Sequence, residues 1–118
     1  MILEGLFMKI LISLEDNNNL DSKLSNHFGT CNFFAIYDSV LKELKIIKNY
    51  LDHNSSKSPV DQILENNIDS VFSKGMGKKA IDLFLEKKII LKTGNYTFLK
   101  EVIENIADLK DLNTPCKH

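Results

Sequence analysis

Apolar side chains fill residues 8–14 almost without a break, interrupted only by Lys9 and Ser13. With the β-branched Ile10 and Ile12 in it, this run predicts a strand buried on both faces and therefore central in its sheet. Polar residues then dominate 15–26, where Asn17, Asn18 and Asn19 mark a solvated loop. Two β-rich stretches, 32–38 and 40–49, are separated by little more than Asp38 and Ser39 and predict an antiparallel hairpin. In its second arm Leu44 and Ile46 alternate with lysines, the pattern of an exposed, edge-like strand.

Residues 52–57 read as a loop. Ser58, Pro59 and Asp61 then supply an N-cap, a first-turn proline and a capping-box-like acid for a short helix to about residue 66, burying Val60, Ile63 and Leu64. A short strand is expected at 69–73. Gly75, Met76 and Gly77 turn the chain from it straight into a helix that buries Ala80, Ile81, Phe84 and Leu85. A last strand at 89–91 and a turn at 93–95 lead to Thr97, the expected N-cap of a final helix with Leu99, Val102, Ile103 and Ile106 at helical spacing.

An initial hairpin followed by alternating strands and helices predicts an α/β fold with about three helices and a mixed five-stranded sheet. Right-handed crossovers give the order 3-2-1-4-5, with strand 2 antiparallel. Open sheets of this kind take ligands beyond the carboxyl ends of their strands, which brings the loops 15–30 and 74–78 together.

A chain of 118 residues, 43% hydrophobic and 26% charged, is the size and composition of one globular domain. We place that domain at 8–110, with 1–7 as an upstream start or extension before Met8 and 111–118 as a loose tail. A formal charge of −1 creates no field to gather nucleic acid or a membrane surface. Glu4 and Lys9 break the greasy N-terminal stretch, so no targeting segment or membrane span is expected. The two cysteines point to a reducing, cytoplasmic setting rather than to a disulfide framework.

Two constellations could carry chemistry. Lys78 and Lys79 fall in the first turn of the second helix, where the macrodipole is positive and acids are normally favoured. An anion resting on the amides of Gly75, Met76 and Gly77 would turn this conflict into a site; otherwise the glycines serve only a tight turn. The second is His27, Phe28, Gly29 and Cys31. Imidazole and thiolate suit copper, zinc or iron-sulfur species, although a cysteine beside two phenylalanines is also an ordinary core residue. Cys116 and His118 could add ligands from the tail, and His53 reads as an exposed histidine. The central strand carries no carboxylate for two-metal hydrolysis, and no nucleophile has an evident base and orienting group, so a catalytic role is not expected.

The segments MKILISLEDNNNLDSKLSNHFGTCNFFAIYD and VFSKGMGKKAIDLFLEKKIILKTGNYTFLKEVIENI together resemble the dinitrogenase iron-molybdenum cofactor biosynthesis family over residues 8–109. The resemblance rests on the opening strand, the serine followed by His-Phe-Gly at 25–29, the aromatic strand ending in Asp38, and the Gly-Met-Gly turn before a helix containing Ala80. It implies a ribonuclease H-like α/β fold without nuclease activity and a prokaryotic, non-catalytic binding or carrier protein. Its ligand would be an anionic metal-sulfur cluster, iron-sulfur or molybdenum-containing, and its partners cofactor-assembly or acceptor proteins. On that reading His27, Phe28, Gly29, Gly75, Met76, Gly77 and Lys78 hold the cofactor, and His27 and Cys31 are metal ligands. Lys78 and Lys79 depart from the proline and basic residue of many relatives. The alternative is an interaction module of the same fold that has lost its cofactor.

Overall fold

Alternation along the first strand, β1 (Lys9–Leu14), decides the layering of the molecule. Leu11 faces one core, while Ile10, Ile12 and Leu14 face another on the opposite side of the sheet. The same two-residue period sorts its neighbours β2 (Phe33–Asp38) and β4 (Ser70–Phe72). Phe34, Ile36 and Val71 join Leu11, whereas Ala35 and Phe72 join Ile10. The computed structural model describes residues 8–52 and 54–112. Residues 1–7, His53 and the expected tail ligands Cys116 and His118 lie outside them.

The remaining elements are β3 (Glu43–Lys48), α1 (Pro59–Leu64), α2 (Lys78–Glu86), β5 (Ile90–Thr93), α3 (Leu99–Glu104) and β6 (Lys110–Asp111). The sheet runs β3-β2-β1-β4-β5-β6. Strand β2 is antiparallel to both β1 and β3, and β4 is parallel to β1 and β5. Two antiparallel steps return β3 to the direction of β1, so the carboxyl ends of β1, β3, β4 and β5 share one rim. Helices α1 and α2 cover the Leu11 face through Val60, Ile63, Ile81 and Phe84, and α3 covers the other through Leu99 and Val102. No helix among the described residues is long and apolar enough to cross a membrane.

The expected order of five strands is present, with four local differences. A sixth strand extends the sheet: Lys92 and Thr93 pair with Asp111 and Lys110, the Leu112 amide donates to the Leu91 carbonyl at 3.0 Å, and Leu112 is buried. The chain is therefore fixed through residue 112 and not loose from 111. The polar pair Lys110 and Asp111 carries no strand pattern, and the backbone of β5 supplies the register. The hairpin turn is longer than expected, because the Asp38 carboxylate accepts the amides of Val40 and Leu41 at 2.9 and 3.0 Å. Val40 and Leu41 are thereby lifted out of the strand into solvent.

Leu85, expected in the core, is half exposed, because α2 buries only the stripe through Ile81 and Phe84. Helix α3 is capped at Phe98 rather than at Thr97: the Glu101 carboxylate reaches back to the amides of Thr97 and Phe98, both at 2.9 Å. Those two donors hold its pKa below the usual carboxylate value.

Candidate functional site

The loop after β1 and the turn after β4 are built by the same device. Ser25, buried, donates its hydroxyl to the His27 carbonyl at 3.0 Å and accepts the His27 amide at 3.2 Å. Ser73, also buried, donates to the Gly75 carbonyl at 2.7 Å and accepts the Gly75 amide at 3.3 Å. In each case a hydroxyl replaces the strand ladder just where the chain leaves the sheet. The two loops are then joined directly, the Phe28 amide donating to the Gly75 carbonyl at 3.0 Å. The expected meeting of the His-Phe-Gly and Gly-Met-Gly segments is therefore present at the backbone.

Phe28 anchors the first loop. Its ring meets Phe84 edge-on with centroids 5.5 Å apart and lies tilted at 6.1 Å from Phe34. Gly29 follows with φ +88°, a left-handed conformation that explains glycine there. Gly77 has a different reason. Its backbone is extended (φ −71°, ψ 157°), and a Cβ added to it would meet no atom within 4 Å. It is the N-cap of α2 and supplies no side-chain acceptor to that helix, where serine or aspartate would close the free amides. The first turn of α2 thus begins with uncovered donors.

A cavity of about 620 Å³ opens beside this helix start. One wall is Phe28, Gly29, Gly77, Lys79, Ala80 and Leu83. The facing wall is Ser55, Ser56, Lys57 and Ser58, from the segment linking β3 to α1, with Pro59 and Val60 from the first turn of α1. Among the described residues its lining includes two lysines and no carboxylate. Lys57 is paired with Glu65, which leaves Lys79 as the cation of a partly apolar, partly polar lining, a combination suited to an anion of low hydration.

The other expected site residues lie elsewhere. Met76 is buried in the core with Leu11, Phe34 and Phe84, so its side chain packs rather than lines the cavity. Lys78 is exposed and forms a 2.6 Å ion pair with Asp82 one turn on, which answers its conflict with the helix dipole locally. Lys79, one residue later, is the lysine on the wall. His27 is exposed and does not line the cavity.

Cys31 is 5% exposed and belongs to the same core as Met76. Burial pushes its thiol up from the ordinary value, more than the nearby Ser13 hydroxyl and backbone donors pull it down. Asn49 secures this stretch, donating to the carbonyls of Gly29 and Cys31 at 2.9 and 2.8 Å. Among the described residues no group of three or more His, Cys, Asp or Glu side chains is placed to hold a metal ion.

The buried thiol has a pH consequence. A pKa raised in the folded state leaves the stability intact below the unfolded value of 9.0 and removes it as pH climbs toward the folded one. Wild type should therefore lose stability relative to Cys31→Ala above that pH, by at most about 1.4 kcal/mol per pH unit. Chemical denaturation of both proteins at several alkaline pH values checks this. Parallel curves would mean that the thiol is solvated in the folded protein.

The facing wall is what sequence reading missed. Ser58 and Pro59 are legible in it only as a helix start, and only the direction of β3 brings the stretch to the rim.

Comparison with known proteins supplies a second line. The family model described as dinitrogenase iron-molybdenum cofactor matches residues 8–109. Solved structures share the fold. A candidate NifB protein from Thermotoga is 17% identical with a TM-score of 0.78, over 93% of this chain and 97% of that one. A candidate dinitrogenase from Methanocaldococcus jannaschii is 24% identical with a TM-score of 0.71, over 98% and 100%. The apo form of the orange protein from Desulfovibrio gigas is 15% identical with a TM-score of 0.77, over 92% and 96%. At these identities the likeness establishes the architecture alone. No curated protein matches the chain significantly.

Proposed function

The chain belongs to the dinitrogenase iron-molybdenum cofactor family, and from that premise we propose that it is a non-catalytic carrier of an anionic metal-sulfur cluster. The observation that carries this reading is the cavity beside α2. Uncovered amides in the first turn of α2 after Gly77, the ammonium of Lys79 and a carboxylate-free lining among the described residues all favour negative charge. Phe28, Ala80 and Leu83 supply the apolar surface against which sulfide, a soft and weakly hydrated atom, loses least.

The cluster is cargo, held mainly as an anion by amides, the Lys79 ammonium and apolar contact. His27 is exposed on the first loop but does not line the cavity, so the hold on the cluster does not depend on an imidazole bond. Cys31, protonated in the core, shapes the loop from beneath. The partners of such a carrier are the assembly proteins that load it and the acceptors that empty it, in the cytoplasm.

Anaerobic incubation with ferrous iron, sulfide and molybdate, followed by gel filtration and metal and sulfide analysis, tests the reading. Wild type should retain metal and sulfide together. Lys79→Gln should retain about three- to tenfold less at limiting ligand, the scale of one partly screened charge. Lys78→Gln should matter less, since Asp82 already engages that ammonium. A wild-type protein that retains nothing would make the fold an interaction module instead.

A further inference from the structure

The segment between β3 and α1 is polar, and its described residues on either side are bonded to one side chain of the helix that follows. Gln62 projects from α1 and is 7% exposed. Its side-chain amide donates to the Asp52 carbonyl at 2.9 Å and to the Lys57 carbonyl at 3.0 Å, while its oxygen accepts the Asp52 amide at 2.9 Å. Both ends of the loop are tied to one buried side chain. Burying a glutamine costs rotamer entropy and hydration, and the cost is recovered only when its donors and acceptor are all engaged. What the three bonds fix in place is the wall of Ser55, Ser56 and Lys57 across the cavity from Gly77. Lys57 is further held by an ion pair with Glu65.

From this arrangement, and resting on the carrier reading above, we infer that Gln62 is a positioning residue and that the loop it fixes determines specificity, selecting sulfur-surfaced over oxygen-surfaced anions. The physical ground is hydration. Two anions of equal charge and shape are both attracted by Lys79 and the helix amides, the smaller oxyanion somewhat more. They differ in what they lose when water is excluded, and an oxyanion loses more. Water is displaced from the part of the anion that lies between the apolar residues Phe28, Ala80 and Leu83 and the wall across from them, and the fixed loop is that wall. A loosened loop admits water, and the advantage of sulfide over oxide shrinks.

Tetrathiomolybdate and molybdate are tetrahedral dianions of one metal and make the comparison direct. Their binding to wild type, Gln62→Met and the double variant S55G/S56G is measured by anaerobic equilibrium dialysis with molybdenum analysis. Wild type should bind tetrathiomolybdate at least about tenfold more tightly than molybdate. In Gln62→Met that ratio should fall several-fold, through weaker tetrathiomolybdate binding at nearly unchanged molybdate binding.

Simple destabilisation would lower both affinities together and leave the ratio intact, so the ratio separates positioning from a structural role. The double variant alters exposed positions only and should lower the ratio even if Gln62→Met folds poorly. Equal affinities in wild type, or a ratio unchanged in both variants, would overturn the inference while leaving an anion carrier standing. Binding of neither anion by wild type would instead count against the carrier reading itself.

Discussion

Phe84→Ala is expected to cost about 3–5 kcal/mol of folding stability, a large share of what a domain of this size possesses. Phe84 is fully buried on α2 and sits where the helix, the sheet and the first loop meet. It contacts Phe28 edge-on, and Phe28 in turn lies against Phe34. Truncation therefore leaves a void that cannot collapse without moving the loop that lines the cavity. Urea denaturation of wild type, Phe84→Leu and Phe84→Ala measures the effect. The leucine variant should lose much less, because it keeps most of the volume. A loss below about 1 kcal/mol for alanine would show that the three-ring stack contributes little to the fold.

Gly77→Asp should push stability and binding in opposite directions. Aspartate can adopt the extended backbone found there, nothing lies within 4 Å of the added Cβ, and its carboxylate can accept the free amides of the first turn of α2. The protein without ligand should gain a few tenths of a kcal/mol, seen as a small rise in melting temperature. The same carboxylate covers the donors and brings negative charge to the cavity wall, so cluster uptake should fall by about 100-fold or more. Gly77→Ala separates the two effects, since it covers no amide and adds no charge. A Gly77→Asp protein that loads as well as wild type would remove the helix start from the site.

The central elements were legible because their signals are local. The apolar run of β1 announced a buried middle strand, and Ser58 with Pro59 announced α1, where the Asp61 amide indeed donates to the Ser58 hydroxyl at 3.1 Å. The two loops after β1 and β4 were legible as neighbours from strand order alone. What escaped was long-range. Strand β6 has no pattern of its own, and Lys110 and Asp111 become a strand only because β5 offers an unpaired edge.

The second cavity wall escaped for a topological reason. Two antiparallel turns restore the direction of β1 in β3 and so deliver a third loop to the same rim. Following strand direction as well as strand order would have found it. The difference between Lys78 and Lys79 was out of reach, since adjacent lysines on a helix point about 100° apart and only the partner Asp82 decides which one is engaged.

The rim is fastened piecewise. Ser25 secures one loop, Ser73 the turn after β4 and Gln62 the segment before α1, each through bonds to backbone near its own anchor. Backbone bonds are indifferent to the identity of the side chains they carry. Residues along any one loop can therefore change without unseating the other two, provided its fastener stays. A scaffold built this way lets the lining drift while the frame holds, and the fold itself is shared by structures that align over nine-tenths of this chain at only 15–17% identity.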